Sequence, residues 1–68
     1  MSRTWWRVTF ETRLISAIGK FEPRTAIVRA DTYEKAVKWA IDDLSMEGYE
    51  TRNPISIKGP MTEAEARA

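Results

Sequence analysis

Residues 31–49, DTYEKAVKWAIDDLSMEGY, form the one long helical pattern in a chain of 68, and everything else has to be built around it. Tyr33, Ala36, Val37, Ala40, Ile41 and Leu44 recur at the three- and four-residue spacing of an amphipathic helix. Asp31 with Glu34 three residues later has capping-box spacing, Asp standing where Ser or Thr is usual. Gly48 can take the left-handed conformation beyond the last turn, and Tyr49 after it can fold back on Leu44. A lone amphipathic helix cannot enclose a core, so its apolar face needs a second layer. That layer must come from the strand-like segments on either side.

Residues 5–16, WWRVTFETRLIS, alternate with period two. Trp6, Val8, Phe10, Thr12 and Leu14 make the core face, and Trp5, Arg7, Thr9, Glu11 and Arg13 make the other. Residues 17–20, with Gly19, read as a turn. Residues 20–30 read as a second strand with Ala26, Val28 and Ala30 inward and Thr25, Ile27 and Arg29 outward. Pro23 has no N–H to give a ladder, which sends this strand to an edge. Residues 50–54 read as a loop around Asn53-Pro54, and 55–58 as a short third strand with Ile55 and Ile57 inward, ended by Gly59-Pro60. Residues 61–68, MTEAEARA, have Thr62 and Glu65 at capping-box spacing and read as a tail that frays or makes a helical turn.

The expected fold class is therefore α+β: a single domain over residues 1–60, in the order ββαβ, with a short tail. A hairpin followed by a helical crossover gives a three-stranded antiparallel sheet in order 2-1-3, with the helix on one face.

The composition narrows the chemistry. There is no Cys and no His, which removes thiolate chemistry, disulfides, the commonest general base and the commonest metal ligand. Asp42 and Asp43 are adjacent on the helix and point about 100° apart, too divergent to share a proton or a metal. The three glycines are isolated, so no phosphate-cradling loop exists. The expectation is a protein that is not an enzyme and takes no cofactor or metal. No apolar run approaches the roughly 20 residues of a membrane span, and the first residues lack a signal-peptide core. The expected location is cytoplasmic, with no membrane partner.

Charge is unevenly placed. Residues 1–30 hold six basic and two acidic side chains, and residues 31–68 hold five and eight, so +4 and −3 combine to the net +1. Two surfaces follow. On the helix, Trp39 and Met46 fall outside the apolar stripe, beside Lys35 and Asp42. A loop or the tail could cover Trp39, or it could lie over Lys35; otherwise it is an interface anchor, a role in which Trp is enriched. The second surface is the helix-free face of the sheet. There Trp5, Arg7, Ile27 and Arg29 could meet a protein partner or a second copy of the chain. The same face offers Trp5, Arg7, Arg13, Arg29 and Lys58 to a single-stranded nucleic acid, bases on rings and cations on phosphates. Nucleic-acid binding is the secondary reading, because the helix is acidic and alternating Arg and Glu is also the pattern of a solvated face.

In size, composition and its Trp5-Trp6-Arg7 and Trp39 aromatics, the chain is similar to the very small accessory proteins that phages and mobile elements encode. That similarity implies an inhibitor that blocks a host protein by occlusion, and it assigns no residue roles.

Overall fold

In a computed structural model, described over residues 3–68, the chain forms β1 (Trp5–Leu14), β2 (Glu22–Arg29), α1 (Tyr33–Met46), β3 (Tyr49–Met61) and α2 (Glu63–Arg67). The strands make one antiparallel sheet in the order β2-β1-β3, and α1 packs on one face of it. This is the α+β arrangement with order 2-1-3 that the sequence implies.

The core lies between that face and α1. Trp6, Val8 and Phe10 of β1 meet Ala26, Val28 and Ala30 from β2 and its end, and Ala36, Ala40 and Leu44 of the helix. Alanines on both sides of the contact let the helix backbone approach the sheet closely, while Phe10 and Val8 supply the bulk. Burying an apolar side chain of that size contributes about 1.5–3 kcal/mol. Two polar groups enter the core and both are satisfied. The Trp6 indole N–H donates to the Ala30 carbonyl at 2.9 Å, and the buried Thr12 hydroxyl donates to the Glu22 carbonyl at 2.9 Å.

Several local expectations are corrected. The helix is capped by Thr32, not Asp31: the Thr32 hydroxyl accepts from the Lys35 amide at 3.3 Å. The helix begins at Tyr33, so the residue able to reach the free amides is one position later than the Asp31–Glu34 spacing suggested. Asp31 pairs instead with the Lys35 ammonium at 3.4 Å. Tyr33 and Ile41 are exposed, because a three-stranded sheet covers only the narrower stripe of Ala36, Ala40 and Leu44. Tyr33 still meets the Trp6 ring edge-on, with centroids 6.4 Å apart. Leu14, placed by alternation in the core, is exposed. The 10 residues of β1 span about 33 Å and the 14 of α1 about 21 Å, so the strand outruns its cover.

β3 departs furthest from expectation. Residues 50–54 are strand, not loop, and Gly59-Pro60 lies within the strand rather than ending it. Thirteen residues of β3 run beside 10 of β1, and three register shifts absorb the difference. Thr9 faces Ser56 and Phe10 faces Pro54, so Ile55 has no partner position and is exposed; Ile57, opposite Val8, packs on the core. Gly59 lies against Trp6. A Cβ there would stand 2.8 Å from two indole carbons and 2.9 Å from the Trp5 carbonyl, at a φ of +149°. Its glycine serves a close approach of backbone to ring.

Candidate partner-binding surfaces

The three tryptophans have different surroundings. Trp6 is buried and hydrogen-bonded. Trp5 is half-buried, with the Arg67 guanidinium 5.2 Å from its ring centre. The C-terminal segment brings that arginine there. The Thr62 hydroxyl accepts from the Glu65 amide at 3.2 Å while the Thr62 amide donates to the Glu65 carboxylate at 3.1 Å, a closed capping box that sets α2. Arg67 pairs with Glu63 at 3.0 Å, Arg3 with Glu65 at 3.7 Å, and Ala66 is buried. Thr62 donating from backbone and then from hydroxyl, with Arg3 adding a smaller pull, holds the Glu65 carboxyl below its ordinary value of 4.5. The sheet face expected to be open is thus occupied at its Trp5 end. Trp5, Arg29, Thr62 and Arg67 line a groove of about 620 Å³ there.

Trp39 has no such cover: it remains 41% exposed. Lys35, Trp39, Asp42 and Met46 are spaced by four, three and four residues and share one flank of α1. Met46 is 88% exposed. The segment that could have shielded Trp39 lies by Trp5 instead.

Across the sheet, register sorts the remaining residues into rows. Ile27, Arg7 and Lys58 are cross-strand neighbours, as are Thr25, Thr9 and Ser56, whose first two hydroxyls are 2.8 Å apart. Ile27 and Arg7 are half-buried; Arg29 and Lys58 are exposed. Arg13 does not stand free on this face. Its Nε and Nη2 reach Glu50 Oε1 at 2.7 and 2.6 Å, and its guanidinium lies 4.5 Å from the centre of the Phe21 ring. Arg52 lies 4.0 Å from the same ring. The structure therefore joins Trp5 with Arg29 and Arg7 with Ile27 and Lys58, but sets Arg13 in a separate cluster.

One feature was passed over in the sequence. Leu14, Ile15 and Ile18, at the tip of the β1–β2 hairpin, are all exposed. The Ile15 amide donates to the Gly48 carbonyl at 2.8 Å, which ties the tip to the turn after α1, the same end of the molecule as Met46. The signal available was an apolar run, LISAI, divided between the end of the 5–16 strand reading and the 17–20 turn reading. Among the described residues, no group of three or more acidic, His or Cys side chains could hold a metal, and no helix is long and apolar enough to cross a membrane.

No family model matches the chain, and no solved structure matches it. It is similar to a putative ABC transporter ATP-binding protein of Pyrococcus abyssi, 32% identical over 50 residues, 74% of this chain. The chain spans 19% of that protein's length.

Proposed function

We propose that this chain is a non-enzymatic, cytoplasmic binding protein that works by occlusion, setting the Trp39–Met46 flank of α1 against a partner protein. The observation that carries this reading is the accounting of the three tryptophans: Trp6 fills the core, Trp5 lies beneath Arg67, and Trp39 is left on the surface beside an exposed methionine. Trp gives a large, rigid contact area, and Met adapts to the shape it meets. Lys35 and Asp42 border the pair with opposite charges that can set orientation. The sheet edges are less suited to a partner strand, because Pro23 sits in β2 and register shifts interrupt β3. A small inhibitor of a host protein, of the kind phages encode, fits this mode. The ATP-binding role in the relative's name is not carried over, since the chain has no phosphate-cradling glycine loop.

The test is affinity capture from the cells that encode the protein, followed by titration of the purified partner. Trp39→Ala is expected to weaken binding by about tenfold or more, the range of an interface anchor, while Arg29→Ala changes it little. Equal affinity of Trp39→Ala and wild type would remove the flank from consideration. Light scattering on the free protein, wild type against Trp39→Ala, tells whether that partner is a second copy.

One observation favours the nucleic-acid reading as the alternative. Arg7 and Lys58 sit directly opposite each other, a like-charge pair that weakens the isolated sheet and that a phosphate between them would relieve. Against it, the Phe21 ring is already engaged by two arginines and Trp5 by one. Fluorescence anisotropy with a labelled single-stranded oligonucleotide decides: salt-dependent binding lost in Arg7→Ala supports it, and no binding at low salt dismisses it.

A further inference from the structure

We propose that the β1–β2 hairpin tip docks this protein onto an anionic lipid surface, its aliphatic side chains entering the headgroup boundary and flanking cations meeting the lipid phosphates. The inference rests on a surface separate from the Trp39 flank. Ile18 is 102% exposed, which leaves its side chain wholly in water, and Leu14 and Ile15 stand beside it more than half exposed. Such a cluster at a hairpin tip projects outward and is shaped to penetrate rather than to receive.

Its charge says what it would penetrate. The tip, RLISAIGKF over residues 13–21, has a cation near each end and no acidic residue. Immediately behind Ile18, a cleft of about 190 Å³ is lined by Arg13, Lys20 and Arg24, with Glu22 the one acid among its walls. Arg24 lies 4.2 Å over the Tyr49 ring, and one further guanidinium, that of Arg52, lies 4.0 Å over Phe21, so both are held at the base of the tip beside aromatic rings. Further carboxylates lie near this end: Glu50, bound to Arg13, Glu47 in the turn after α1, Asp43 in the last turn of that helix, and Glu11 two residues before Arg13 on β1. Apolar residues at the apex, cations one layer behind and aromatic rings at the same level form the arrangement by which a protein lies on a membrane without crossing it. Either signal alone gives weak attachment; together they suffice for reversible docking.

The experiment is sedimentation of the intact protein with vesicles of phosphatidylcholine alone and of phosphatidylcholine mixed with phosphatidylglycerol, at low and high salt. The protein should pellet with the mixed vesicles at low salt, less at high salt, and not with neutral ones. Ile18→Asp should lower the vesicle affinity about tenfold or more while leaving circular dichroism and the urea midpoint unchanged, because the side chain touches nothing in the fold. Lys20→Glu should weaken binding, and Trp39→Ala should not. No pelleting with mixed vesicles at low salt overturns the proposal. So does pelleting that Ile18→Asp leaves intact, which would assign adsorption to the basic sheet face. A self-association lost in Ile18→Asp, without vesicle binding, would assign the tip to a second copy and overturn it as well.

Discussion

Replacing Gly59 by alanine should be among the most damaging single-methyl changes in the protein. Two costs add at that position. An L-residue at φ +149° carries backbone strain of about 1–3 kcal/mol. The new methyl would also lie 2.8 Å from two Trp6 ring carbons and 2.9 Å from the Trp5 carbonyl, and neither can withdraw, since Trp6 is locked by its bond to Ala30 and the carbonyl is backbone. Overpacking of that kind costs about 1–3 kcal/mol, for a combined loss of about 2–6. A chain of 68 residues holds roughly 3–10 kcal/mol in total, so much of its stability is at stake. With a urea m-value of about 1 kcal/mol/M, the midpoint should fall by about 2 M or more, or the variant should be unfolded in water. Gly19 is the internal control. Its φ is +151° but nothing lies within 4 Å of its added methyl, so Gly19→Ala carries the strain alone. Urea unfolding followed by tryptophan emission compares the two. Equal midpoints for both variants would refute the close approach of β3 to Trp6.

Further outcomes follow from the same geometry. Ile55→Ser should change stability by about 0.5 kcal/mol or less, while Ile57→Ala should cost about 2 or more, because the register shift leaves one side chain outside and turns the other to the core; chemical denaturation checks both. The Glu65 carboxyl is held below 4.5 in the folded state, so the unfolded chain binds the proton more readily there. Its contribution to α2 is therefore complete above the ordinary value and is lost as pH falls through the lowered one. An acid titration followed by the NMR signal of the Trp5 indole should show α2 loosening in that window, and Glu65→Gln, whose amide oxygen still accepts from the Thr62 N–H, should remove this pH dependence. Trp6→Ala should cost about 3–5 kcal/mol and Trp39→Ala less than about 1, measured by thermal unfolding, since only the first is buried.

The architecture was readable because three signals agree: the period-two run from Trp5, the 3.6-residue run from Tyr33, and Pro23 marking an edge. What was misread involves lengths and neighbours that alternation does not encode. Leu14 has the right parity but lies where a strand outruns its helix. Ile55 has the parity of Ile57 and loses its place to a bulge, which shifts Ser56, Ile57 and Lys58 by one. Asn53-Pro54 and Gly59-Pro60 look like punctuation, yet β3 runs through both because β1 continues beside it and Trp6 needs a residue without a side chain. Of the surface residues, Trp39 and Met46 could be placed by helical angle alone. Trp5 could not, since its cover comes from α2, more than 50 residues away in the chain.

The role of the Trp39–Met46 flank as the contact surface is tested most directly by site-specific photo-crosslinking. A photoreactive amino acid at Met46 should form an adduct with the partner protein that disappears when Trp39→Ala is added, while the same group at Ser56, on the opposite face of the sheet, should form none. An adduct from Ser56 and none from Met46, or a Met46 adduct indifferent to Trp39→Ala, would contradict it.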